Sequence, residues 1–100
     1  MDVERSDLEN QVALITGGAG AIGRAIGEGL VKAGARVVLV DIDDSRLKQF
    51  EGELVANYGA ASVLPVVADV CDTQQVKCAF DLALKEFGRL DILVNNAAVT

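Results

Sequence analysis

Histidine and tryptophan are absent from the 100 residues, and tyrosine and proline occur once each. Without an imidazole, histidine ligation of a metal and histidine general-base chemistry are both excluded. Two cysteines, Cys71 and Cys78, are too few for a disulfide framework or a zinc site and read as free thiols. Basic side chains are outnumbered nine to fifteen, for a net charge of −6. Nucleic acid and anionic membrane surfaces need clustered Lys and Arg, so neither is expected as a partner. The same charge reads as an acidic solvated exterior, which leaves open the binding of phosphate through backbone N–H groups. No apolar run approaches the roughly 20 residues of a spanning helix. Met1–Asn10 is a polar lead with neither an apolar core segment nor a small-residue cleavage site, so no signal peptide or anchor is expected and the cytoplasm is the default.

What is present is a chain that is 51% apolar and 24% charged, the balance of a single folded domain. Apolar runs at Gln11–Thr16, Arg36–Asp41, Ser62–Asp69 and Asp91–Asn95 are continuous rather than alternating, as in strands buried on both faces of a parallel sheet. Three helical patterns lie between them. The first carries Ile22, Ile26, Leu30 and Ala33 as an apolar stripe, with Arg24, Glu28 and Lys32 on the other side and Gly34 as a stop. In the second, Asp43 or Asp44 caps a segment whose Leu47, Phe50, Leu54 and Tyr58 face inward, ended by Gly59. The third opens with Asp72 and Gln75 in capping-box spacing, packs Val76, Phe80, Ala83 and Phe87, leaves Cys78 off the stripe and ends at Gly88. Right-handed crossovers then predict β-α-β-α-β-α-β in a doubly wound, Rossmann-like α/β half-domain over residues 11–100. The expected strand order is 3-2-1-4, with a crevice where the order reverses. Pro65 in the third run suits an edge strand, where a missing N–H is tolerated.

Between the first strand and the first helix stands Thr16-Gly17-Gly18-Ala19-Gly20-Ala21-Ile22-Gly23. Dinucleotide binding needs a tight turn there, close approach of backbone to a pyrophosphate, and a helix N-terminus aimed at it. A plain tight turn accounts for two of the glycines but not for four glycines and two alanines in this setting. Two registers fit. Gly18, Gly20 and Gly23 match G-x-G-x-x-G, whereas Thr16-Gly17, Ala21 and Gly23 match T-G-x-x-x-[G/A]-x-G. Local spacing does not separate them.

The second register, with Ala68-Asp69-Val70 after the third strand and Leu90–Val94 followed by Asn95-Asn96-Ala97-Ala98 after the fourth, resembles the short-chain dehydrogenase/reductases from about Leu8 to Thr100. Ala98 stands where the family usually has Gly. The resemblance implies that Gly17, Gly18, Ala19, Gly20, Ala21 and Ile22 cradle the pyrophosphate and neighbouring ribose, while Gly23 permits close helix packing. It implies that Asp69 accepts from the adenine amino group, that Val70 flanks the ring and offers its N–H, and that Asn96 and Ala97 lie beside the cofactor. Asp69 also reads as a turn or capping residue, and Asn95 and Asn96 as hydrogen-bonding groups that fix strand ends. Asp41 closes the second strand about 20 residues beyond the glycines, where a carboxylate accepts the hydroxyls of the adenine ribose. It repels a 2′-phosphate by about 4 kcal/mol for charges about 4 Å apart at an effective dielectric of about 20. The positions that carry a basic residue in NADP-preferring members hold Gly20 and Ile42, so NAD is expected in preference to NADP. Arg24 reads instead as a surface partner of Glu28.

The family's chemistry uses a Tyr with a Lys four residues later. The sole tyrosine, Tyr58, is followed at that distance by Ser62 and reads as core, so no catalytic residue is assigned. The expected function is the NAD-binding portion of an oxidoreductase that moves hydride between an alcohol or ketone and NAD, with catalysis, substrate choice and homo-oligomer assembly belonging to the intact protein. Two alternatives stand beside it: a non-catalytic NAD-binding sensor or partner subunit, and a piece that folds only within an assembly. The fourth strand is expected to present an unpaired apolar edge.

Overall fold

The computed structural model describes residues 7–97. Four strands, β1 (Val12–Thr16), β2 (Arg36–Asp41), β3 (Val63–Val67) and β4 (Ile92–Asn95), alternate with helices α1 (Ala21–Lys32), α2 (Asp44–Tyr58) and α3 (Thr73–Phe87). A 3₁₀ turn, Ala60–Ser62, precedes β3. All pairings are parallel and the order is β3-β2-β1-β4. β1 and β2 are the central strands. Val12–Ile15 and Val37–Val40 are at most 1% exposed, because helices cover both faces and leave no side for alternation. The two edges behave differently. β3 places Pro65 opposite Leu39 in the outer pairing, where its missing N–H disrupts no further ladder. β4 leaves Leu93 56% exposed.

The core has two layers. On one face Ala13, Ile15, Val37 and Leu39 pack with Val31 of α1 and Leu47, Phe50 and Leu54 of α2. On the other, Val12, Leu14, Val38 and Val40 pack with Ala79 and Ala83 of α3. The second helix follows its predicted stripe except that Tyr58 is half-buried, its hydroxyl 3.5 Å from a carboxylate oxygen of Glu28.

The first helix does not follow its predicted stripe. Its buried line is Gly23, Gly27 and Val31. Ile26 and Leu30 pack beside that line, and Ile22 is 68% exposed. Small residues let α1 lie close over the sheet, so the large apolar residues flank the contact rather than form it. The Arg24–Glu28 pairing is also replaced. Arg24 bonds Glu53 of α2 at 2.7 Å, with its guanidinium carbon 4.9 Å from the centre of the Phe50 ring. An exposed i, i+4 pair contributes only a few tenths of a kcal/mol, whereas the cross-helix position adds stacking on an aromatic face. The third strand ends at Val67, two residues short of the predicted limit, and Ala68 closes the register with an N–H donated to the Asp41 carbonyl at 3.0 Å.

Candidate functional site

The carboxyl ends of all four strands meet at a cavity of about 250 Å³ lined by Gly17 after β1, Asp41 and Ile42 at the end of β2, Ala68–Cys71 after β3, and Ala97 after β4. It sits where the strand order reverses around β1, the position at which open parallel sheets bind ligands. Of the residues expected at the site, Gly17, Asp41, Ile42, Asp69, Val70 and Ala97 line this cavity. Ala98 lies outside the described residues.

The glycine run divides into a brace and an open end. Gly17 has φ +66°, and a Cβ there would press on Asn96 and Ala97 at 3.2–3.3 Å. The Gly18 N–H donates to the Val40 carbonyl at 3.0 Å, the Ala19 N–H to Asp41 Oδ2 at 3.0 Å, and the Gly20 N–H to the Gly17 carbonyl at 3.2 Å. These donors bind the turn to β2 and to itself. Ala21, Ile22 and Gly23 form the first turn of α1, and their N–H groups have no hydrogen-bond partner among the described residues. Gly20, the N-cap, supplies no side-chain cap, and no acidic side chain occupies that first turn. By contrast, Asp43 caps α2 through the Arg46 N–H, and Asp72 caps α3 through those of Gln74 and Gln75. An uncapped helix start with three open donors and no acidic side chain in its own first turn is suited to an anion. Within the run, the N–H groups of residues 18–20 are thus taken up by β2 and by the turn itself, and those of residues 21–23 stand open.

Steric demands also separate the two registers. A methyl at Gly23 would collide with the Gly17 carbonyl oxygen, and one at Gly18 would meet Leu39 at 3.0 Å, whereas at Gly20 the nearest atom lies 3.5 Å away. Gly17 and Gly23 are confined by backbone and Gly20 is not, which favours T-G-x-x-x-[G/A]-x-G over a register that needs glycine at 20; Gly18, a free position in that register, is confined by Leu39.

Asp41 faces both ways. Its Oδ2 accepts from Ala19 and its Oδ1 from the Asp43 N–H at 3.0 Å, while the residue lines the cavity. Each oxygen keeps a lone pair beyond those bonds. Asp69 Oδ1 accepts from the Cys71 N–H at 2.9 Å. Its Oδ2 and the Val70 N–H have no partner among the described residues, and both residues line the cavity. No Lys or Arg is among the described residues that line the cavity, so among them the donors open to an anion are backbone N–H groups.

Asn96 and Ala97 are held by a residue omitted from the expected site. Thr16 is 9% exposed, and its hydroxyl accepts from the N–H groups of Asn96 at 2.9 Å and Ala97 at 3.1 Å. Its own proton lies within reach of Asn95 Oδ1 at 3.2 Å and the Val94 carbonyl at 3.4 Å. The Asn96 side chain reaches the Gly17 carbonyl at 3.4 Å. One threonine thus ties the end of β4 to the glycine turn. Its signal was the Thr that opens the motif, but its partners are about 80 residues away. Among the described residues no His, Cys, Asp or Glu group could hold a metal, and no helix is long and apolar enough to cross a membrane.

Known proteins share this arrangement. A short chain dehydrogenase/reductase of Macrophomina phaseolina is 43% identical over 96 residues, covering 96% of this chain and 54% of that protein. The human 15-hydroxyprostaglandin dehydrogenase [NAD(+)] is 42% identical over 92 residues, covering 92% of this chain and 35% of that protein. Among solved structures, L-sorbose reductase from Gluconobacter frateurii, complexed with NADPH and L-sorbose, superposes with a TM-score of 0.87 at 38% identity, covering 99% of this chain and 36% of that one. The 3-ketoacyl-(acyl-carrier-protein) reductase from Brucella melitensis, complexed with NADH, gives 0.84 at 39% identity, covering 93% and 36%. The chain therefore spans between about a third and a half of the length of these relatives. The sequence profile described as short chain dehydrogenase matches residues 11–100, and with the T-G-x-x-x-A-x-G turn seated at the switch point of a 3-2-1-4 sheet, the chain belongs to the short-chain dehydrogenase/reductase family.

Proposed function

We propose that the chain is the NAD-binding portion of an oxidoreductase that transfers hydride between an alcohol or ketone substrate and NAD. The observation that carries this reading is the uncapped start of α1 beside the Asp41 carboxylate. The residues fit the cofactor on three counts. The open N–H groups of Ala21–Gly23 suit a pyrophosphate. The remaining lone pairs of Asp41 suit ribose hydroxyls. The Asp69 Oδ2 acceptor and Val70 N–H donor match the amino group and ring nitrogen of adenine. When bound, NAD supplies the hydride-accepting ring. This chain's part is to bind and orient: α1 fixes the phosphates, Asp41 selects the ribose, and Thr16 holds Asn96 and Ala97 beside the turn. The sole tyrosine lies on α2 with Ser62 four residues on, so proton transfer to substrate is assigned to no residue here.

Preference for NAD rests on charge. A 2′-phosphate would approach a carboxylate with no cation among the described residues that line the cavity to offset it, and Arg24, a nearby cation on α1, is paired with Glu53. Titration calorimetry with NAD and NADP tests the reading. The protein should bind NAD at least about 100-fold more tightly, within the roughly 4 kcal/mol that the charge pair supplies. Asp41→Ala should weaken NAD about 10-fold or more and narrow the ratio. Equal affinities for the two cofactors in the unsubstituted protein would overturn the preference, and absence of binding to either would overturn the function.

A further inference from the structure

The turn that carries Asp69 and Val70 is closed by a side chain from the first turn of the next helix. Gln75 Oε1 accepts from the Asp69 N–H at 2.8 Å, and its Nε2 donates to Asp72 Oδ2 at 3.1 Å. Asp72 in turn accepts through Oδ1 from the N–H groups of Gln74 and Gln75 at 2.9 and 3.3 Å, and its own N–H donates to the Asp69 carbonyl at 3.0 Å. Asp69 Oδ1 takes the Cys71 N–H at 2.9 Å. A capping box would send the third-position side chain back to the N-cap N–H. Here it goes three residues further upstream, because the Asp72 N–H is already used by the Asp69 carbonyl. Residues 69–75 thus form a ring of hydrogen bonds in which the backbone at both ends of Asp69 is occupied. The groups left over, Asp69 Oδ2 and the Val70 N–H, belong to residues that line the cavity.

We propose that Gln75 is a positioning residue for base recognition, holding the Asp69–Val70 acceptor–donor pair in the register that distinguishes an amino-substituted purine from its keto analogue. This rests on the reading of the cavity as an NAD site. Gln75 touches no ligand and acts through the Asp69 backbone. Loss of its carbonyl oxygen frees the Asp69 N–H and lets the pair drift, so discrimination falls further than overall affinity.

The test compares NAD with deamino-NAD, in which a keto oxygen replaces the adenine amino group and the adjacent ring nitrogen becomes a donor. Both contacts are then mismatched. Titration calorimetry on the unsubstituted protein should show NAD bound about 10-fold or more tightly, the scale of one or two hydrogen bonds to a charged or fixed partner. Gln75→Met keeps the length without the polar atoms. It should bring the ratio to within about 3-fold while changing deamino-NAD affinity by less than about 2-fold. Gln75→Glu keeps an acceptor for the Asp69 N–H but turns its second oxygen toward Asp72 Oδ2, where Nε2 had donated, so it should recover part of the ratio, and that recovery separates positioning from a loss of helix stability followed by circular dichroism. An unchanged ratio in Gln75→Met, or equal weakening of both ligands, overturns the role of Gln75 and leaves the NAD site standing. Binding of both ligands without preference in the unsubstituted protein overturns the assignment of Asp69 and Val70 with it, and binding of neither overturns the NAD site itself.

Discussion

Gly23 and Gly20 stand three residues apart in the same turn and carry opposite constraints. At Gly23 an added methyl runs into the Gly17 carbonyl oxygen, which is backbone and already accepts from Gly20 at 3.2 Å. At Gly20 the nearest atom is 3.5 Å away and φ is −77°, which any residue adopts. Gly23→Ala should therefore cost roughly 2 kcal/mol or more, as overpacking against fixed backbone does. Gly20→Ala should cost less than about 1 kcal/mol, the difference between N-cap residues that make no side-chain bond. Urea denaturation of both variants checks this, and equal losses would show that the turn moves as a unit and that the steric reading of the motif is wrong. Which glycine answers to which neighbour was not legible in the string, because Leu39, Asn96 and Ala97 approach it from elsewhere in the chain. The placement of Asp41, Ile42, Asp69 and Val70 at one cavity was legible, since each follows directly from a strand end. The partners of Thr16 and Gln75 were not: a threonine within a strand is ordinary until its partners are known, and the capping-box spacing of Gln75 pointed to the Asp72 N–H rather than to that of Asp69.

Helix α2 holds an interior glycine with no steric reason for it. Gly52 is exposed, and a Cβ there would meet nothing within 4 Å; the same is true of Gly29 in α1. Glycine in a helix interior costs up to about 1 kcal/mol relative to alanine, partly through the freedom of the unfolded chain. Gly52→Ala should raise stability by about 0.5–1 kcal/mol, seen as a melting temperature higher by roughly 2–8 °C for a domain of this size. A fall on thermal unfolding would mean that α2 depends on a contact at that position. The elements themselves followed from strong local signals: Asp43 and Asp72 as caps, Gly59 and Gly88 as stops, and apolar runs at both central strands. Strand order followed from the mononucleotide-binding half that the alternating elements and glycine turn spell, and Pro65 marked the edge. The face of α1 did not follow, because periodicity weighs bulk and the contact there is made by glycine. Nor did the partner of Arg24, since Glu53 lies 29 residues on.

The domain is closed at the opposite end of the sheet from the cavity, where β4 joins β1. Asp91 Oδ2 accepts from the Val12 N–H at 2.8 Å, and the Asp91 N–H returns to the Val12 carbonyl at 2.9 Å, across 79 positions of sequence. Arg89 grips the same carboxylate through two donors at 2.8 and 2.9 Å. The Arg89 hydrogen bond first, and the Val12 N–H after it, hold the Asp91 carboxyl below the usual carboxylate range. A carboxyl whose folded pKa lies below its unfolded value of about 3.9 contributes stability that is fully present above that value and is lost as pH falls through the folded one. Asp91→Asn keeps the shape and an oxygen for Val12 but removes the charge facing Arg89. The substituted protein should be the less stable of the two at pH 6, and the gap should close as pH falls below about 4. Every other acid-dependent contribution is common to both proteins, so the difference between two denaturation series isolates Asp91 where either series alone would not. A gap that stays constant from pH 6 to pH 3 would mean that the carboxylate serves β1 as a hydrogen-bond acceptor only, and that its charge takes no part in joining the ends of the sheet.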